Sequence, residues 1–214
     1  MAKVLIACEY SGIVRDAFSK LGHDAWSIDI IPTESEGNHI IGDAMDHLDD
    51  GWDLMIAHPP CTFLSVTGTW CLYHPEDRHL PTSERRANPK FPNRRQQQND
   101  ALDFVQKLMD APIPKICIEN PVSVISSRIR KPDQYVQPFH HGHKESKKTG
   151  LWLKNLPLLE ETDNVWEETK DLPDKLKKRI WWMGGANKKL RSKFYTGIAD
   201  AMANQWGKLL EGSR

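Results

Sequence analysis

Short apolar runs recur along the first 120 residues and alternate with stretches of helical spacing. Lys3–Ala7, Ala25–Ile30, Asn38–Ile41, Trp52–Ala57 and Lys115–Ile118 each predict a strand, being short, apolar and rich in β-branched residues. Val14–Leu21 carries helical spacing between the first two strands, which makes a βαβ opening, and Arg94–Met109 predicts a longer helix. Continuous apolar strands separated by helices imply a parallel sheet covered on both faces, an α/β fold of the Rossmann-like class. Further along, Lys148–Leu153 predicts another strand and Ile198–Leu210 a closing helix. The charged, irregular stretch Glu160–Lys178 reads as a solvated face.

About 55 residues separate the fourth and fifth strands, including a polar, proline-containing stretch from Tyr73 to Asn93, and a loop that long in a compact domain is usually functional or disordered. The pattern divides the chain into a core over residues 1–155, a small segment over 156–196 and a terminal helix over 197–214 that returns to the core.

Composition narrows the picture mainly by exclusion. With 29 Lys and Arg against 29 Asp and Glu, the formal net charge is +0, so nucleic-acid binding must be argued from local patches. No run approaches the roughly 18 apolar residues of a membrane span, and the apolar stretch at the N-terminus is too short for a signal peptide, so a soluble, cytoplasmic protein with no membrane partner is expected. Cys8, Cys61, Cys71 and Cys117 include no CxxC pair and are expected as thiols, Cys8 and Cys117 inside the core. Trp70, Trp181 and Trp182 fall outside the regular core elements, as stacking surfaces, packing wedges or lid anchors.

Candidate chemistry gathers at the ends of the predicted strands. Pro59-Pro60-Cys61 follows the fourth strand and presents a thiol, while Glu119 and Asn120 follow the fifth and deliver a carboxylic acid. A nucleophile and an acid so placed suit covalent attack on an electron-poor ring such as a pyrimidine. The first βα turn, Cys8-Glu9-Tyr10-Ser11-Gly12, has a small-residue corner before a helix N-terminus. Asp29 and Asp43 end the second and third strands, where carboxylates suit a ribose and an adenine amino group. These positions outline a nucleoside cofactor, and the missing GxGxxG argues against a dinucleotide.

In these residues the chain resembles the cytosine-C5 DNA methyltransferases. Tyr10-Ser11-Gly12 stands against the family's Phe-Ser-Gly, and Pro60-Cys61-Thr62-Phe63-Leu64-Ser65-Val66-Thr67-Gly68 matches Pro-Cys-Gln-x-x-Ser-x-x-Gly except at Thr62. Glu119-Asn120-Pro121 stands for Glu-Asn-Val, and Gly197-Ile198-Ala199-Asp200 echoes the family's final cofactor motif. The resemblance implies an S-adenosylmethionine-dependent fold in which Cys61, Glu119 and Ser65 are catalytic. It implies Tyr10, Ser11, Gly12, Asp29, Asp43, Pro59 and Ala199 as cofactor contacts, and Pro60 and Asn120 as substrate contacts. DNA is the implied partner, with the base flipped out of its stack beneath a lid running from Ser65 to about Arg86. Ser65, Arg78, Arg85 and Arg86 are its candidate phosphate contacts, and His58 is the nearest candidate to activate the thiol.

The chain departs from the family in two places. The family's Gln-x-Arg-x-Arg strand, which orients the base, corresponds here to Glu145-Ser146-Lys147-Lys148-Thr149; either Lys147 and Lys148 or Arg128 and Arg130 take that role. Only about 40 residues separate Leu156 from Gly197, fewer than the family's target-recognition domain needs, so specificity is either relaxed or supplied by a second copy or a partner chain. The basic, aromatic run Lys175–Lys193 suits phosphates and a stacked base.

Other readings of the same residues stay open. Cys61 alone fits a buried apolar position, and His58-x-x-Cys61 with Cys71-x-x-His74 has the spacing of a zinc site. Glu119 suits a helix cap or an ion pair, and Asp29 and Asp43 suit turns. His140, His141 and His143 read as a solvated loop. Two alternatives to DNA modification are a relative acting on free pyrimidine nucleotide or RNA, and a non-catalytic subunit that keeps the fold.

Overall fold

The computed structural model describes residues 1–179, 183 and 192–210. Trp181, Trp182 and much of the basic run that precedes Lys193 lie outside the described residues. A seven-stranded sheet organises the chain, in the order β3-β2-β1-β4-β5-β7-β6. Its strands are β1 (Lys3–Ala7), β2 (Asp24–Asp29), β3 (His39–Ile41), β4 (Leu54–Ala57), β5 (Lys115–Pro121), β6 (Gln134–Val136) and β7 (Thr149–Lys154). β1 to β5 pair in parallel, while β7 runs antiparallel to both β5 and β6. This is the expected mostly parallel, Rossmann-like α/β sheet. β6 and the reversal of β7 were not foreseen, since three residues and a change of strand direction leave no periodic trace.

Strand identity follows from burial on two faces. In β1, Val4 and Ile6 enter one apolar cluster and Leu5 and Ala7 the other, so every position is apolar. The first face is covered by α1 (Ile13–Lys20) and α6 (Thr196–Leu210), which bring Phe18, Met202 and Trp206. The second is covered by α2 (Arg94–Asp110) through Leu102, Val105 and Leu108. Burying a side chain such as Phe18 contributes about 1.5–3 kcal/mol. Among the described residues there are also three single-turn helices, α3 (Ile125–Arg128), α4 (Trp166–Thr169) and α5 (Asp174–Lys177). No helix among the described residues is long and apolar enough to cross a membrane.

Two features depart from the sequence expectation. The segment after Leu156 is tied to the core, with Trp206 Nε1 donating to Pro157 O and Gln134 Nε2 donating to Leu159 O. Two of the three histidines expected in a solvated loop are structural instead: His143 Nε2 accepts from Gly197 N at 3.0 Å at the start of α6, and His141 is buried. Burial first, then the neighbouring charge of His140, pushes the His141 pKa down to about 4.

The turn after β1 is fixed by charge. Glu9 is buried and its carboxylate accepts from Val14 N at 2.8 Å and Arg15 N at 3.2 Å, satisfying the first amides of α1. Arg15 is 0% exposed and donates to Ser27 Oγ, Ser35 Oγ and Glu36 O, which folds residues 33–37 over the turn. Gly12 sits there at φ 73°, where a Cβ would lie 2.2 Å from Ser35 Oγ and 2.4 Å from the Arg15 guanidinium. Gly12→Ala is therefore expected to destabilise the protein by about 1–3 kcal/mol, read as a lowered urea midpoint with an unchanged slope.

Candidate active site at the carboxyl edge of the sheet

The chain leaves β1 for β2 and β3 on one side and returns to β4 on the other, so strand order reverses between β1 and β4. Open α/β sheets bind ligands at such a reversal, outside the carboxyl ends of the strands. A cavity of about 460 Å³ lies at that edge. Cys8, Asp29, Gly42, Asp43, Pro59 and Pro60 line it from the strand ends, and Ala101 and Phe104 from α2. Burial is the main influence on Asp29 and raises its pKa. Cys8, with φ 60°, is pushed up to about 12 by burial first and then by the charges of Asp29 and Asp43. It had been expected in the core, and in fact it forms part of the cavity wall.

Next to this cavity the exits of β4 and β5 are joined. The register that pairs Ala57 with Ile118 brings His58 beside Glu119. His58 Nδ1 lies 3.0 Å from Glu119 Oε2, and Asn120 Nδ2 donates to Pro59 O at 2.8 Å. Beyond them, Val66 N donates to Val122 O and Val124 N to Leu64 O, so residues 64–66 and 122–124 form a short antiparallel ladder. Cys61 O accepts from Leu64 N and Ser65 N, which turns the chain tightly and leaves Cys61 exposed. Glu119 is 7% exposed. Burial raises its pKa, but the hydrogen bond from His58 and the charges of Lys147 and His58 outweigh this and hold it below the usual carboxylate range.

The segment after Cys61 folds on its own acid. Asp77 is buried and accepts from Arg86 N at 2.8 Å and from the Arg86 guanidinium at 2.6 Å, which holds its pKa well below the usual range. Arg94 reaches back to donate to Thr62 O, and its guanidinium stacks 4.6 Å from the Phe63 ring. Arg85 donates to the carbonyls of Leu80 and Arg78. Arg85 and Arg86, expected to meet phosphates, thus hold the segment together instead. Trp70 is 61% exposed, against the ring of Phe91.

The structure brings Cys61, Glu119, Asn120, Pro59 and Pro60 to one edge, with Asp29 and Asp43 on the adjoining cavity. Tyr10, Ser11 and Gly12 stand at the neighbouring turn, where Ser11 Oγ donates to Glu9 and Tyr10 Oη meets Ser192 Oγ at 3.0 Å. Ser65 caps a 3₁₀ turn over Val66–Leu72 and bonds Thr67. Ala199 does not reach the site: it is fully buried on α6, in the core. Arg130 is paired with Asp133 and donates to Leu153 O, and Arg128 Nη2 donates to Asn99 Oδ1 on α2. Lys147 is the basic residue whose charge reaches Glu119, whereas Lys148 lies over the Tyr135 ring. His58 faces Glu119 and not the thiol, which its position three residues before Cys61 did not reveal. Among the described residues, no group of three His, Cys, Asp or Glu side chains is arranged to hold a metal. The α2 contribution to the cavity was missed because no motif marks Ala101 or Phe104.

No protein-family model matches the chain, and no curated protein matches it in sequence. In fold it is similar to a crystal structure of a protein encoded within an E. coli prophage and described as a DNA modification methyltransferase. The two share 13% identity with a TM-score of 0.44 over 82% of this chain and 50% of that one. The chain spans about half the length of that protein.

Removing the Asn120 amide orphans a buried carbonyl at Pro59. Asn120→Ala is expected to cost about 1–3 kcal/mol in urea unfolding. Asp77→Asn weakens the clamp on Arg86, so limited proteolysis between residues 66 and 93 is expected to speed up while the core resists. In the wild type the same acceleration appears only in acid, because a lowered carboxyl pKa stabilises above the unfolded value and is lost as pH falls through the folded one.

Proposed function

We propose that this protein is an S-adenosylmethionine-dependent DNA cytosine-C5 methyltransferase that attacks through Cys61. The observation that supports the reading most is the junction of the β4 and β5 exits, which sets an exposed thiol and a buried carboxylate on one edge beside a cavity flanked by two aspartates.

The cavity suits the cofactor in size and in donor set. Nucleoside-sized ligands occupy pockets of about 300–1,000 Å³. Asp29 carries the acceptors for ribose hydroxyls and Asp43 an acceptor for an adenine amino group, over apolar walls at Ile28, Leu64 and Phe104. Pro59 and Pro60 separate this cavity from the thiol. When bound, S-adenosylmethionine supplies an electrophilic methyl group.

The chain's own residues do the rest. Cys61, as thiolate, adds to cytosine C6, while Glu119 engages N3 and Asn120 keeps Pro59, and with it the nucleophile's turn, in register. A free thiol near pKa 8.5 needs help to ionise at neutral pH, and the charge developing on the ring lies toward Glu119 and Lys147. For duplex DNA the base must first leave the stack, at a few kcal/mol, under the segment that Arg94 and Asp77 hold in place. With net charge +0 and a short 156–196 segment, sequence choice falls to a few local contacts, a second copy or a partner chain.

Labelled S-adenosylmethionine and DNA carrying 5-fluorocytosine, which blocks release of the thiol, are expected to give a labelled covalent adduct on a denaturing gel. Cys61→Ala is expected to give none while binding cofactor normally. Intact cofactor binding with no adduct on DNA, but methyl transfer to RNA or a pyrimidine nucleotide, would move the assignment to those substrates. Cofactor affinity has a pH signature of its own. Asp29 must be ionised to accept hydroxyls and its pKa is raised by burial, so affinity is expected to fall on acidification, starting above the ordinary carboxylate range. In calorimetry, Asp29→Asn should bind roughly 10- to 100-fold more weakly and lose that dependence.

A further inference from the structure

Resting on the cytosine reading, we infer that His58 is a positioning residue that carries the proton Glu119 delivers to the pyrimidine ring. The geometry leaves the imidazole no other route. His58 Nδ1 is 3.0 Å from Glu119 Oε2, its far nitrogen Nε2 is buried with no hydrogen-bond partner, and its ring packs 4.7 Å from Phe194. Its backbone is fixed as well, with His58 N donating to Ala7 O at 2.9 Å.

Glu119 cannot serve alone. A carboxylate held ionised by its neighbours has no proton to give, whereas attack at C6 requires one at N3. The pair solves this when it enters the reaction as imidazolium and carboxylate. The sulfur of Cys61 forms its bond to C6, the C5=C6 π pair moves to C4=C5, and the C4=N3 pair collects on N3. The proton on His58 Nδ1 passes to Glu119 Oε2 and from there to N3, leaving neutral imidazole, a carboxylate and an N3–H. On elimination of the thiol, the N3 proton returns by the same path. No oxidant or further reactant is needed.

Among the described residues, the groups around the pair are few. β5 contributes Glu119 and the buried Cys117, on whose thiol the Glu119 charge acts. Lys147 faces Glu119 from ahead of β7. The segment before α6 meets His58 through the apolar Phe194 ring, with Tyr195 beyond it near Lys147. Cys61 lies on His58's own loop. Of these, the imidazole is the type of group that changes charge between about pH 5 and 8.

His58→Asn tests the assignment, because an amide can keep the donor to Glu119 but cannot carry a proton. Single-turnover methyl transfer into unmethylated bacterial genomic DNA is followed from about pH 5.5 to 9, a range that brackets imidazole titration. Because Cys61 must ionise in both proteins, the readout is the ratio of wild-type to variant rate, which is expected to fall as pH rises through that range. The variant is expected to keep cofactor affinity, to run about 10²- to 10⁴-fold slower at the acid end, and to close that gap toward the alkaline end. A variant within about threefold of wild type with the same profile overturns the inference and leaves His58 as a bracket only. Should the variant fail to fold, nitrogen-15 NMR of His58 is compared between wild type and Glu119→Gln. A titration midpoint that moves to lower pH without the carboxylate supports the coupling, and an unmoved midpoint overturns it. Wild type that binds cofactor but transfers nothing to DNA cytosine overturns the cytosine reading itself, and the role of His58 falls with it.

Discussion

Glu119 and Asn120, the last polar residues of an otherwise apolar strand, hold the exit of β4, and the geometry of the whole edge depends on that hold. Asn120 takes the carbonyl of Pro59 and Glu119 takes the imidazole of His58, both away from bulk water. Polar groups buried this way must be satisfied or they cost several times what a hydrogen bond contributes, so the loop carrying Cys61 has essentially one acceptable position. Cys61 is then exposed while its backbone is held, because its carbonyl is spent on Leu64 and Ser65.

The cavity side of the edge rests on a different kind of constraint. Glu9 and Arg15 are both buried, and neither could be without its partners: the carboxylate is held by helix amides and the guanidinium by hydroxyls and carbonyls of residues 27–36. Their effect is to shape a turn and an overlying loop from a sequence with few glycines, leaving Asp29 and Asp43 available to a ligand. The long connection after Cys61 repeats the device at the surface, with Asp77 gathering Arg86 around it. Arg15, Arg85 and Arg86, which look free in the sequence, are therefore structural.

Much of the architecture was legible because both faces of the sheet are covered. β1, β4 and β5 read as continuous apolar runs, and α1, α2 and α6 repeat apolar residues at helical spacing, so their positions follow from burial alone. Cys61, Glu119 and the two aspartates were legible for a related reason: each is a polar or reactive residue that interrupts an apolar run where a strand must end. Ala199 and Cys8 show the limit, since an alanine on a helix and a cysteine after a strand each fit a core position or a cavity wall equally well.

By itself, the amino-acid sequence determined the covered α/β sheet and where its strands end, because periodicity and interruption are local properties. Only the tertiary structure decided the partners. That His58 serves Glu119 and not Cys61, that Lys147 and not Arg128 or Arg130 reaches the acid, and that Arg86 clamps Asp77 all depend on parallel register and on contacts between residues far apart in the chain. Such contacts are chosen by the geometry of burial, which spacing along a chain does not encode.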